Sequence, residues 1–283
     1  MSYEEWIGKS KDQSDSMAPE QLQRFEAMMD RDPSEVQAGT SLPPCAHWIY
    51  FTPMERQSDI ADDGHAKKGS FLPPVDLPKR MWAGGKIQFK KPLKTGIPAD
   101  KKSTIVKIEE KEGTSGKLCF VTVRHQISAS GAVAVDEEQQ IVYREASEEG
   151  AHPIRTKPMD IDFDWKKSRV LTSAELFRYS ALTFNGHKIH YDFPYTTDQE
   201  GYPNLIVHGP LLLTLLLNAF KSKSDGKVIE EVDYKSVGPI YLGEELTITS
   251  KDVDNTKVEM RVLGPDNKIA MMARVKWIYS WNQ

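Results

Sequence analysis

The sequence predicts an α+β fold built as two antiparallel sheets related by an internal duplication, with one long apolar helix held by the second sheet. Three observations carry that prediction. Short strand-like runs bounded by turn residues fill the stretch from Gly85 to Glu145, and a second set in the same order follows from Val232. Phe89-Lys90, Pro92-Leu93 and Gly96 in the first set match Tyr234-Lys235, Pro239-Ile240 and Gly243 in the second, with the same Pro-to-Gly spacing. Between the sets lies GPLLLTLLLNAFKSK, apolar nearly all round, as expected of a helix wrapped by a curved sheet.

The elements follow in order. Glu20 to Asp30 has helical spacing behind Pro19, with Leu22, Phe25 and Met28/Met29 on one side, and its role is packing. Thr40 to Arg80 is rich in Pro, Gly and charge (LPP, ADDGHAKKG, FLPPVDLP), which reads as a long irregular segment covering something, in the manner of a functional lid. The first strands are KIQF, STIVKIEEK, KLCFVTVRHQIS and QQIVYRE; the second are VDYKSV, ELTITSKDV, VEMRVL and IAMMARVKWIYS. A duplicated unit of about 120 residues is too long for a solenoid repeat. A long helix embraced by an antiparallel sheet is the hotdog arrangement, and the first half shows no equally obvious helix. The expected molecule is therefore a double hotdog: a degenerate unit in residues 1–155, with a helical and loop-rich lead, and a catalytic unit in residues 156–283.

Composition narrows the function. With 37 basic against 41 acidic side chains, 9% aromatic and 39% apolar residues, the chain is an ordinary globular one that lacks the positive footprint of a nucleic-acid binder. Cys45 and Cys119 stand far apart in no metal-ligand or disulfide pattern, which fits a reducing compartment. The polar, acidic start resembles no targeting segment, so a cytoplasmic location is expected. The most apolar run, Pro210 to Phe220, is about half the roughly 20 residues needed to span a bilayer, so no membrane partner is expected.

The chemically able residues concentrate in ALTFNGHKIHYD (181–192) and YPNLIVHGP (202–210). These segments resemble the MaoC-like (R)-specific enoyl-CoA hydratases. Together with LPKRMWAGG, KEGTSGKLCFVTVRH and IVYRE they are most similar to the double-hotdog branch containing mesaconyl-C4-CoA and itaconyl-CoA hydratases and mitochondrial-type 3-hydroxyacyl-thioester dehydratases. The resemblance covers roughly residues 40 to 283. It implies an acyl-CoA thioester substrate, no cofactor and no metal, and leaves a homodimer as an open mode of assembly. Carried over on the final His of the motif, the family's catalytic His falls on His190 and its catalytic Asp on Asn185. That second match is a departure, since an amide exchanges hydrogen bonds but cannot take a proton from water.

On this reading His190 is the general base and acid, because an imidazole is suited to proton transfer near neutrality, and Asn185 holds the water. Adding hydroxide to the β-carbon of an enoyl thioester builds an enolate, whose oxygen must meet waiting donors. Gly209, at the start of the apolar helix and followed by Pro210, offers a helix N-terminus for that charge. His187 and Asp192 are candidates to orient an imidazole, against the plainer readings of loop residue and turn starter, and His208 needs no role beyond packing. Arg80, Trp82, Arg124 and Arg178 are candidates for coenzyme A phosphates or a substrate carboxylate. Three other readings stay open: a metal held by His187, His190 and Asp192, a hotdog thioesterase, and an acyl-CoA binding module with a dead site.

Overall fold

The computed structural model describes residues 3–113, 116–145, 161–224 and 226–279. The first unit runs β1 (Ser10–Asp15), α1 (Pro19–Met28), a short helical turn at Ala46–Ile49, β2 (Lys79–Phe89), β3 (Ala99–Gly113), β4 (Gly116–Ala129) and β5 (Ala132–Arg144). The second runs β6 (Trp165–Val170), α2 (Ser173–Thr183), α3 (Gly209–Lys223), β7 (Val228–Ser236), β8 (Glu245–Asp254), β9 (Lys257–Leu263) and β10 (Ile269–Ile278). The same order of elements is written twice, with Ala46–Ile49 standing where α3 stands. Sheet order repeats it: from the outer edge inward the first half reads β1-β3-β4-β5-β2 and the second β6-β8-β9-β10-β7. This is the expected double hotdog, with its two sheets joined edge to edge through antiparallel β2 and β7 into one sheet of ten strands.

The join requires glycine. A Cβ on Gly84 would lie 2.6 Å from the Tyr234 carbonyl oxygen, and one on Gly85 would lie 2.6 Å from the Tyr234 hydroxyl oxygen. The matched loops also fold alike. Lys90 N–H donates to Ala134 O after β2, and Val237 N–H donates to Ala270 O after β7. Gly96 and Gly243 close those loops at φ 72° and 85°, where a side chain would be strained. The duplication begins earlier than its strand pattern suggests. β1 and α1 copy β6 and α2, and the polar SKDQSD of β1 carries no β-branched signal to announce a strand. The boundary placed at 155/156 lies outside the described residues.

α3 is buried on every side from Leu211 to Leu217, packs on β7 to β10, and leaves Lys221 and Lys223 in its last turn, where cations suit the dipole. β10 shows the complementary alternation, with Met271, Ala273, Val275 and Trp277 buried and Met272 exposed. Each fully buried Leu contributes about 1.5–3 kcal/mol. In the first unit the facing space takes Leu22, Phe25 and Met28 of α1, with Ala46, Ile49 and Phe51. Cys45 and Cys119 are buried free thiols. No helix among the described residues is long and apolar enough to cross a membrane.

Candidate active site

The catalytic segment is shaped by the helices on either side of it. α2 starts with a reciprocal capping box between Thr172 and Glu175 and ends at Phe184, whose left-handed backbone (φ 49°) turns the chain sharply. Asn185 N–H then donates to Ser180 O at 2.8 Å, and Asn185 Oδ1 accepts from His187 N–H at 3.0 Å. A single helical turn, Lys188–His190, follows. Ile206 N–H donates to Ile189 O at 2.9 Å, which ties this turn to the strand-like residues before α3.

His190 is pinned at one nitrogen. Its Nδ1 lies 2.7 Å from Ile206 O, a pure acceptor, so Nδ1 carries the proton and Nε2 keeps its lone pair. The ring is 8% exposed and stacks on His208, centroids 3.7 Å apart. His208 Nε2 shares a 2.8 Å bond with Ser180 Oγ. Burial pushes His190 down to about 4 and His208 well below its ordinary value, and each added positive charge would face another imidazole. Both rings are neutral near pH 7.

The segment from Thr40 to Arg80 covers this site, as a lid. Lys188 N–H donates to Asp63 O at 2.9 Å, and a Cβ on Gly64 would lie 1.7 Å from Gly186 O, so the lid backbone lies directly on the catalytic loop. Asp63 Oδ2 holds His65 Nδ1 at 2.9 Å, and the His65 ring lies 3.9 Å from that of His187, which meets His190 edge-on at 5.4 Å. Burial opposes the Asp63 charge, but hydrogen bonds from His65 outweigh it and hold the carboxyl well below the usual range. Burial pushes His65 and, further, His187 down. Asp63, His65 and His187 offer ligand atoms within 4.8 Å of one another.

Asp63, His65, Asn185, His187 and His190 line one cavity of about 1340 Å³ that both units enclose. Gly209 is on its wall, and the first turn of α3 leaves the Gly209 and Leu211 N–H groups without acceptors inside the helix. Trp82 stacks on Tyr234 at 4.6 Å and meets Trp48 edge-on at 6.1 Å. Towards the first unit the wall turns polar, with Lys101, Ser103, His125 and Gln139. Below it Glu137 accepts from His47 Nε2 at 3.0 Å and from Trp48 Nε1 at 3.0 Å. Burial works against the Glu137 charge, yet these bonds bring its pKa to about 2.

His190, Asn185, His187, Gly209, Trp82 and Arg80 thus share one cavity, and His208 supports it from behind. Asp192 caps the next turn by accepting from Tyr195 N–H at 3.1 Å. The candidate metal trio changes membership: Asp63 and His65 join His187, while His190 spends Nδ1 on a carbonyl. Arg178 is exposed on α2 and does not line the cavity, and Arg124 is held bidentately by Asp136 at 2.8 and 2.7 Å. Packing gives a further reason for glycine at 209. A Cβ there would sit 2.6 Å from Trp82 Cε3, so the indole requires it. Asp63 and His65 were missed, although the His and its neighbouring acids in ADDGHAKKG were a signal within the covering segment.

Comparison with known proteins shows the family. The profile of hydroxyacyl-thioester dehydratase type 2 matches residues 45–242. A mesaconyl-C(4)-CoA hydratase of Chloroflexus aurantiacus is 35% identical over 271 residues, covering 96% of each chain. The mitochondrial hydroxyacyl-thioester dehydratase type 2 of Schizosaccharomyces pombe is 27% identical over 249 residues, 78% of this chain and 81% of that one. Among solved structures, a MaoC-like dehydratase from Phytophthora capsici superposes with a TM-score of 0.73 at 12% identity, covering 99% of this chain and 100% of the other; this is a likeness of fold.

Proposed function

The chain belongs to the hydroxyacyl-thioester dehydratase type 2 family, and from that membership and the site geometry we propose that it adds water reversibly to a short, branched 2-enoyl-CoA, mesaconyl-C4-CoA or itaconyl-CoA, to give citramalyl-CoA. The observation that carries the reaction type is His190: a neutral, buried imidazole with Nδ1 fixed on Ile206 O and Nε2 free as a base, beside the open N-terminus of α3. On mesaconyl-C4-CoA, whose double bond is conjugated with the thioester, His190 Nε2 takes a proton from water as the oxygen bonds to the β-carbon. The π electrons move to the thioester oxygen, which the Gly209 N–H receives. The imidazolium then returns the proton to the α-carbon, and the carbonyl reforms. The scheme draws on no cofactor.

The polar wall at the first unit supports a short acyl group over a long one. His125 is partnered by Ser103 at 2.7 Å and by Gln139 at 3.1 Å, so the group a long alkyl chain would cover at a cost is the Lys101 ammonium beside them. A carboxylated acyl group suits that surface, and no carboxylate among the described residues lies within ion-pair reach of the Lys101 ammonium.

A panel of enoyl thioesters tests both parts. Purified protein is mixed with mesaconyl-C4-CoA, itaconyl-CoA, crotonyl-CoA and a long linear enoyl-CoA while enoyl absorbance and free thiol are followed. Loss of absorbance without thiol, fastest on a carboxylated C5 thioester, is the expected outcome. Thiol release would favour hydrolysis, and best turnover of the long chain would favour a fatty-acid dehydratase.

A further inference from the structure

We propose that Asp63 and His65, carried by the lid, form a second acceptor for the reacting water, so that the catalytic centre is completed only when the lid lies on the catalytic loop. The inference rests on the hydratase reading above and names a further catalytic residue for it. A water attacking the β-carbon has two protons to place. His190 Nε2 takes one. Asn185 Oδ1 already accepts from the His187 N–H at 3.0 Å, which uses one of its two lone pairs, and its amide nitrogen is a donor only; the side chain can hydrogen-bond the water but is no base.

His65 offers the basic nitrogen that Asn185 lacks. Its Nδ1 lies 2.9 Å from Asp63 Oδ2, and Asp63 Oδ1 is fixed by the His65 backbone N–H, also at 2.9 Å. With the Nδ1 proton on the Asp63 side, Nε2 is left as an acceptor, and the carboxylate makes it a stronger one. Gly64 and Gly186, in van der Waals collision for anything larger, bring that ring to the catalytic loop, 3.9 Å from His187. His65, His187 and His190 line one cavity, with His187 between its 3.9 Å contact to His65 and its 5.4 Å contact to His190, so a water bound there has two imidazole acceptors to draw on.

The step balances without further reagents. The water gives one proton to His190 Nε2 as the C–O bond forms, keeps its second proton hydrogen-bonded to His65 Nε2, and becomes the product hydroxyl. His190 returns its proton to the α-carbon, and His65 ends as it began. Asp63 does not touch the water and is a positioning residue.

A metal ion on Asp63, His65 and His187 is the competing occupant. Two imidazoles bound to one ion at about 2.1 Å and splayed by 90° or more keep their centroids over about 4.5 Å apart. The rings of His65 and His187 are closer, at 3.9 Å, and face one another instead of converging.

The test compares wild type, His65→Ala, Asp63→Asn and the double variant His65→Ala/Asn185→Asp. Each is measured for kcat and KM on mesaconyl-C4-CoA, for thermal stability and for bound metal. His65→Ala should lower kcat by about 10²-fold with KM and stability near wild type. Asp63→Asn should lower kcat by less, again at constant KM. Asn185→Asp, which supplies a second side-chain oxygen, should recover about tenfold of the His65→Ala loss. A role in docking the lid alone would not be restored by a carboxylate at 185, so absence of that recovery overturns the proposal. So does a kcat within about threefold of wild type in His65→Ala, or activity that tracks a metal removed by chelation. Nitrogen-15 NMR of the histidine side chains is independent of turnover: His65 protonated on Nδ1 at pH 7 supports the pairing and Nε2 protonation overturns it. Failure of wild type on every enoyl thioester would defeat the hydratase reading, while the His65 tautomer would still decide the dyad.

Discussion

The second unit keeps a helix of 15 residues where the first keeps a turn of 4, and the two copies have diverged around that difference. α3 fills the concave face of its own half-sheet with leucine and presents its N-terminus to the cavity. Ala46–Ile49 fills little, so the facing half-sheet is covered instead by α1, the lid and a group of polar side chains around Glu137. The second copy carries His190 and the open end of α3, and the first carries the polar wall and the lid with His65. The lesson is that loss of a central helix was compensated by hydrogen-bonded charge and a long loop, both of which can carry specificity that packed leucine cannot.

Histidine substitutions on the two sides would break the comparison most directly. His190→Ala should reduce kcat by about 10²–10⁴-fold while thermal stability stays close to wild type, because the ring serves proton transfer; a loss under tenfold would remove His190 as the base. His47 sits in the short counterpart of α3 and binds Glu137 where both are 3% exposed. His47→Ala leaves a buried carboxylate short of its partner and should destabilise the fold by about 3–5 kcal/mol, read by urea denaturation. A stable His47→Ala protein with lost activity would instead make the His47–Glu137 pair part of the chemistry.

A smaller effect is expected where the units touch. Gly209→Ala puts a Cβ 2.6 Å from Trp82, and the stacked indole has little freedom to retreat. A destabilisation of about 1–3 kcal/mol should follow from that crowding. Gly209→Ala combined with Trp82→Phe should restore stability; if stability returns while kcat stays low, the N-terminus of α3 keeps its electrostatic role, and if both return the glycine serves packing alone.

Much of this was legible in the sequence because it depends on local pattern. The all-round apolar GPLLLTLLLNAFKSK gave α3, the paired Pro-to-Gly loops gave the duplication, and His190 followed from the motif before that helix. What stayed hidden depends on contacts between distant segments. β1 is a polar edge strand whose only mark is its pairing with β3. Asp63 and His65 stand 122 or more residues before His187, and only the chain's path over Gly186 unites them. Arg178 is near the motif in sequence, but on α2 it lies on the outer side, whereas Tyr179 and Ser180 face inward.

The subtlest expected difference between the units is in acid. His125 of the first unit is pushed down to about 4, chiefly by burial and then by the charge of Lys101, and His190 of the second is also pushed to about 4 by burial. An unfolded histidine titrates near 6.5, so between about pH 6.5 and 4 the unfolded chain binds protons that the folded one refuses, and stability falls as pH falls. Glu137 behaves differently: its folded pKa of about 2 lies below the ordinary carboxyl range, so the stability it contributes is complete above about pH 4.5 and is lost below that towards pH 2. Each group contributes a slope of at most about 1.4 kcal/mol per pH unit. His125→Gln should therefore flatten the stability profile between pH 6.5 and 4 and leave the decline below 4.5 in place. Glu137→Gln should do the reverse, at the expense of lower stability at neutral pH. Denaturation midpoints taken across pH 3 to 7 would separate the two, and a His125→Gln profile parallel to wild type would mean that the polar wall of the first unit is already open to solvent protons.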